Sequence, residues 1–137
     1  MKKIHSIKFG VYYEDTDSSG FTYHTTYLRF AERARTELLK KSFSEILNTM
    51  SENLYFFVVK ELSVNFIKPS HLFDELKIDT FFLSNKMTSL MLKHDIFCKK
   101  LLICSIIVKL VWIKNDSGKP SRIPSNLISR FKVLEVV

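Results

Sequence analysis

From Ile4 to Tyr13, the residues Ile7, Phe9, Val11 and Tyr13 alternate with polar or small neighbours, and this period of two predicts a half-buried first strand. After Ser18, Ser19 and Gly20 the period changes. From His24, the apolar positions Tyr27, Phe30, Ala31, Ala34 and Leu38 share one helical face, which predicts a helix to about Lys41 with Arg29, Glu32, Arg33 and Lys40 outward. Ser42 to Asn53 predicts a short helical turn. Strands follow: Phe56, Val58, Leu62, Val64 and Phe66 read as one alternating face ending at Pro69, followed by Leu76 to Leu83, Ser89 to Cys98 and Leu101 to Ile113. Ser84-Asn85-Lys86 and Lys99-Lys100 are short links that predict antiparallel neighbours. The run LLICSIIVKLVWI is apolar almost throughout, which predicts a central strand covered on both faces. Asn115 to Gly118 reads as a turn, and Ser125 as the cap of a terminal helix carrying Leu127, Ile128 and Phe131. One long helix with a single apolar stripe must lie against something, so the element order predicts an α+β fold with an antiparallel sheet wrapped around it.

Composition narrows the class. A length of 137 residues, 46% of them hydrophobic and 26% charged, suits one globular domain over the whole chain. Twelve Phe and five Tyr point to an aromatic core or to an apolar ligand channel. A net charge of +7 invites an anionic partner, but the lysines are scattered, and neither zinc-finger spacing nor an aromatic RNA-binding motif is present, which argues against nucleic acid. Cys98 and Cys104 form no CxxC pair and have no His at ligand spacing; they read as buried free thiols, with no metal implied. The beginning MKKIHSIKFG lacks the long apolar stretch of a secretion signal, and Leu101 to Ile113 is too short to span a bilayer. A cytoplasmic protein is expected, with contact at the inner-membrane face left open.

The chemistry concentrates between the first strand and the helix. Glu14, Asp15 and Asp17 put three acids into four positions immediately before a helix start, where unpaired N–H groups and the helix dipole favour a carboxylate or a developing oxyanion. The run Tyr12-Tyr13-Glu14-Asp15-Thr16-Asp17, then Gly20, Tyr23-His24, Tyr27 and Glu32-Arg33-Ala34-Arg35-Thr36-Glu37, resembles the signature of the hotdog-fold acyl-CoA thioesterases. Within them it is most similar to the branch associated with the bacterial Tol–Pal envelope system, related to the 4-hydroxybenzoyl-CoA thioesterases. Phe57-Val58-Val59-Lys60, Val64, Pro69, Asp74, Leu76 and Lys119 to Pro124 extend the resemblance over nearly the whole chain.

The resemblance implies the hotdog fold, an acyl-CoA or acyl-carrier-protein substrate, no cofactor, and a homodimer or tetramer with active sites at the subunit interface. It implies that Asp17 is catalytic, as general base on water or as nucleophile. His24 would orient the water or the thioester, and otherwise caps the helix or lines an interface. Tyr23, Thr25 and Gly20 would form the substrate-binding loop and helix start, with backbone N–H groups around Tyr23 to Thr25 as oxyanion donors. Val59 and Lys60 would close the site across the dimer. Asp15 would bond loop amides or an arginine such as Arg33, and Tyr27 would pack in the core. His5, His71 and His94 receive no role. Phe21-Thr22 and Thr26 depart from the family's usual residues, which bears on acyl-pocket shape. Two rivals stand beside this reading: a hydratase or dehydratase of the same fold, whose motif is missing here, and a non-catalytic acyl-carrier-binding scaffold.

Overall fold

The computed structural model describes residues 1–136. Strand β1 (Lys3–Gly10) leads through a 3₁₀ turn (Tyr13–Asp15) to helix α1 (His24–Ser42) and the short α2 (Ser44–Ser51). Strands β2 (Tyr55–Phe66), β3 (Glu75–Asn85), β4 (Ser89–Cys98) and β5 (Leu101–Lys114) follow, then α3 (Ser125–Val133). The strands form one antiparallel sheet in the order β1-β3-β4-β5-β2. The apolar stripe of α1 lies on this sheet: Phe30 and Ala34 are fully buried, and Tyr27, Ala31 and Leu38 nearly so. Ala31 and Ala34 are the small residues that let the helix approach Leu76, Ile78, Ile96 and Ile106, with which they share a core cluster. A second cluster joins Leu38, Phe43 and Ile46 to Trp112, Leu127 and Phe131, so α3 closes the other end of the core.

Four expectations need correction. The first strand ends at Gly10 rather than Tyr13, because the Val11 N–H already turns to Asp74 and the Tyr12 N–H donates to the Asp15 carboxylate; Tyr13 is left exposed. Strand β2 does not keep one alternating face. A register shift between Val59 and Glu61 leaves Lys60 as a bulge, so Tyr55, Phe57 and Val59 face the helices before it and Val64 and Phe66 after it. Strand β5 lies inside the sheet, but β4 is the central strand, and Ile107 and Lys109 on β5 are only half-buried because the helices pack on one side. Ser125 is the first helical residue of α3, with Pro124 at the cap position.

Candidate active site

The loop between β1 and α1 folds as a small hairpin. Thr16 and Thr22 form an antiparallel bridge, the Asp17 N–H donates to the Phe21 carbonyl and the Gly20 N–H to the Asp17 carbonyl. Gly20 closes this turn with φ +83°, a left-handed conformation that glycine adopts without strain. The hairpin is anchored from the β2–β3 connection. Ser70, buried at 1% exposure, accepts the Thr22 N–H through its carbonyl, and its hydroxyl meets Thr22 Oγ1 at 2.6 Å and the Tyr27 hydroxyl at 2.8 Å. Leu72 donates to the Gly20 carbonyl, and the Phe21 ring meets that of His71 at a tilt, 4.8 Å between centroids.

Asp15 is the buried post of this assembly. One of its carboxylate oxygens accepts the Tyr12 N–H at 2.9 Å and the other accepts Arg29 Nη2 at 3.3 Å. Its carbonyl accepts the Tyr23 N–H and the Thr26 hydroxyl. The arginine that meets Asp15 is therefore Arg29, four residues before Arg33, which instead lies over the Phe30 ring. With both oxygens engaged and 3% exposure, Asp15 shapes the loop.

Asp17 differs on every count. It is exposed, and one carboxylate oxygen accepts both the backbone N–H and the hydroxyl of Ser19. The second oxygen has no hydrogen-bond partner among the described residues. The Ser19 hydroxyl, followed by the Ser19 and Phe21 backbone groups, holds the Asp17 carboxyl below its ordinary pKa, so it is ionised at neutral pH.

Helix α1 begins at His24. The Tyr23 N–H is committed to Asp15 and cannot serve as an oxyanion donor, and the Thr26 N–H turns back to the Tyr23 carbonyl. The N–H groups of His24 and Thr25 make no hydrogen bond among the described residues, as expected of the first helical positions. The Tyr23 and His24 rings lie 4.7 Å apart, and Phe66 from the end of β2 faces His24 edge-on at 6.4 Å and Tyr27 at 5.9 Å. Asp17, Gly20, Tyr23, His24 and Thr25 thus share one loop and helix start. Val59 and Lys60 do not join them within one chain, since they lie on β2 about 20 Å along the strand from Phe66 at its usual rise.

Ser70 and Phe66 are site-forming residues with no sequence signal beyond the break at Pro69, because a lone Ser and an alternating Phe are ordinary. The cysteines are no nucleophiles in this fold: Cys104 is fully buried and its thiol is pushed up to about 12 by burial and by Asp95. Among the described residues no three His, Cys, Asp or Glu side chains converge as metal ligands, and no helix is long and apolar enough to cross a membrane.

Comparison with known proteins gives consistent results. A family model described as the thioesterase-like superfamily matches residues 11–131. The acyl-CoA thioester hydrolase YbgC of Escherichia coli O6:H1 is 36% identical over 123 residues, covering 89% of this chain and 91% of that one. The acyl-CoA thioesterase YbgC of Haemophilus influenzae is 31% identical over 125 residues, covering 91% and 92%. The crystal structure of a probable thioesterase from Bartonella henselae superposes with a TM-score of 0.79 at 30% identity, covering 88% of this chain and 98% of its own.

Proposed function

The chain belongs to the thioesterase-like superfamily and has its hotdog fold, and on that premise we propose that it is an acyl-CoA thioesterase in which Asp17 drives hydrolysis at the start of α1. The observation that carries the assignment is the Asp17 carboxylate, exposed and ionised, with one oxygen fixed by Ser19 and the other free, on the loop that leads into two unengaged amides. The free oxygen takes a proton from water as that water attacks the thioester carbonyl, or itself attacks to give an acyl-enzyme anhydride that water then cleaves. In either route the carbonyl oxygen gains negative charge, and the N–H groups of His24 and Thr25 are the donors placed to receive it. In the first route, collapse of the tetrahedral intermediate expels the coenzyme A thiolate, which takes the proton held by Asp17, and leaves the free acid. In the second, it leaves the anhydride and a thiolate protonated from solvent, and hydrolysis of the anhydride then releases the acid and restores Asp17. The Tyr23, His24 and Phe66 rings flank the approach.

The active unit is a homodimer. Strand β2 is an edge strand paired only with β5 among the described residues, yet Val58, Val59, Leu62, Phe66 and Ile67 on and just beyond it are 39–51% exposed, an apolar edge of the kind that soluble proteins cover. Antiparallel pairing of two such edges sets the Val59 end of one copy beside the Phe66 end of the other. This brings Val59 and Lys60 to a helix start they cannot reach in their own chain. Family branch extends the reading to a cytoplasmic enzyme beside the Tol–Pal system, acting on coenzyme A or acyl-carrier-protein thioesters. The test is release of free thiol from acyl-CoAs of graded length by the purified protein. Turnover that stops when the thiol ester is replaced by a non-cleavable ether is expected, and no release from any acyl-CoA would overturn the assignment in favour of a binding module.

A further inference from the structure

A cleft opens between α1 and β2, away from Asp17. Its volume is about 130 Å³, near the roughly 150 Å³ that accommodates a benzene ring. Leu39, Phe57, Val59 and Phe131 give it apolar walls, and Arg35 stands among them. Arg35 is half-buried, and its Nη1 donates to Nε2 of His94 at 3.1 Å. A guanidinium only donates, so the His94 ring proton sits on Nδ1, which meets Thr80 Oγ1 at 2.9 Å. His94 is fully buried, and burial, with Arg35 second, pulls its pKa down to about 3, so it stays a neutral prop. No carboxylate lies within ion-pair distance of Arg35 among the described residues, and its Nε and Nη2 make no hydrogen bond there. Glu32 lines the same cleft beyond that distance and is exposed, and its charge favours the charged form of Arg35.

A cation held from behind by a neutral histidine, with its Nε and Nη2 unengaged in a cleft walled largely by apolar side chains, is stabilised when an anion joins it. Resting on the thioesterase reading above, we propose that this cleft receives the distal end of the acyl group and that Arg35 selects short or aromatic acyl thioesters ending in a carboxylate. Val59 belongs both to the cleft and to the proposed β2 edge contact, so the cleft of one copy abuts the helix start of the other. The acyl chain enters from that neighbour's thioester site. A planar carboxylate fits the guanidinium fork, whereas a terminal methyl leaves the charge unpaired. His94 acts as a positioning residue, since it fixes one arm of the fork and leaves the rest free.

The test compares adipoyl-CoA with heptanoyl-CoA, which are of similar length and differ in the terminal carboxylate. Wild type is expected to favour adipoyl-CoA in kcat/KM by about tenfold, with the ratio lost in Arg35→Met and partly kept in Arg35→Lys. Glu32→Gln is expected to raise the ratio. Equal or inverted preference in the wild type, or a ratio unmoved by Arg35→Met, overturns the inference while leaving the thioesterase assignment intact. Calorimetric binding of free heptanoate beside heptanamide, which lacks the charge, tests the pocket without turnover: binding of the acid that exceeds that of the amide in the wild type and falls in Arg35→Met supports it, and equal binding of the two overturns it.

Discussion

Asp15 and Asp17 stand two positions apart and are used in opposite ways. Asp15 spends both oxygens on Tyr12 and Arg29 inside the protein, whereas Asp17 keeps one oxygen open to water. Because the Ser19 hydroxyl is the largest cause of the lowered Asp17 pKa, Ser19→Ala should raise it toward the ordinary value. The ¹³C shift of the Asp17 carboxyl followed through an acid titration measures this, and an unmoved midpoint would show that Ser19 does not tune the group. His94 gives a second prediction. Its pKa falls from 6.5 unfolded to about 3 folded, so the unfolded chain binds the extra proton between these values. Stability therefore declines as pH drops from about 6.5 toward 3, by up to ~1.4 kcal/mol per pH unit for this one group. Urea unfolding at stepped pH should show that slope, and His94→Gln should flatten it while costing ~1–3 kcal/mol at neutral pH. At this scale the place of Asp17 and Gly20 in the loop before α1 and the core position of Tyr27 were legible because a fixed frame of residues surrounds them. The Arg29 partner and the commitment of the Tyr23 N–H were not, since both depend on how the loop closes in space. His94 was invisible, for nothing in sequence separates a buried histidine from a surface one.

At the scale of elements, the change of hydrophobic period from two to that of a helix located α1 to within a residue at its end, and the short polar links revealed the β3–β4–β5 meander. The apolar stripe told which face of α1 is buried, because burial and the 3.6-residue period express the same geometry. Strand β2 misled for a definite reason. Alternation assumes an unbroken pleat, and the bulge at Lys60 reverses every face beyond it, which no spacing of residue types announces. That strand also carries the oligomer prediction. Leu62 is 47% exposed in one chain, so Leu62→Asp should alter the stability of the isolated fold by no more than ~0.5 kcal/mol. It should convert the proposed dimer to a monomer in sedimentation and depress thiol release with it. A variant that still sediments as a dimer would remove β2 from the interface.

For the molecule as a whole, the sheet packs against α1 while Ser70 ties down both the hairpin of residues 16–22, through Thr22, and the first turn of α1, through Tyr27. The fold class was readable from element order alone, since one amphipathic helix among five strands has few ways to bury its stripe. What the order could not disclose was that the loop carrying Asp17 is tied to the β2–β3 connection, a contact between residues 48 apart in sequence. In the proposed mechanism, catalysis nevertheless rests on a single carboxylate. The decisive measurement is kcat/KM for thiol release by Asp17→Asn beside the wild type, with equal far-ultraviolet circular dichroism and unfolding midpoints. A loss of about 10²–10⁴-fold is expected from removal of a general base, with the fold intact. A folded Asp17→Asn enzyme within a few-fold of wild type would contradict the assignment and move the chemistry to another residue.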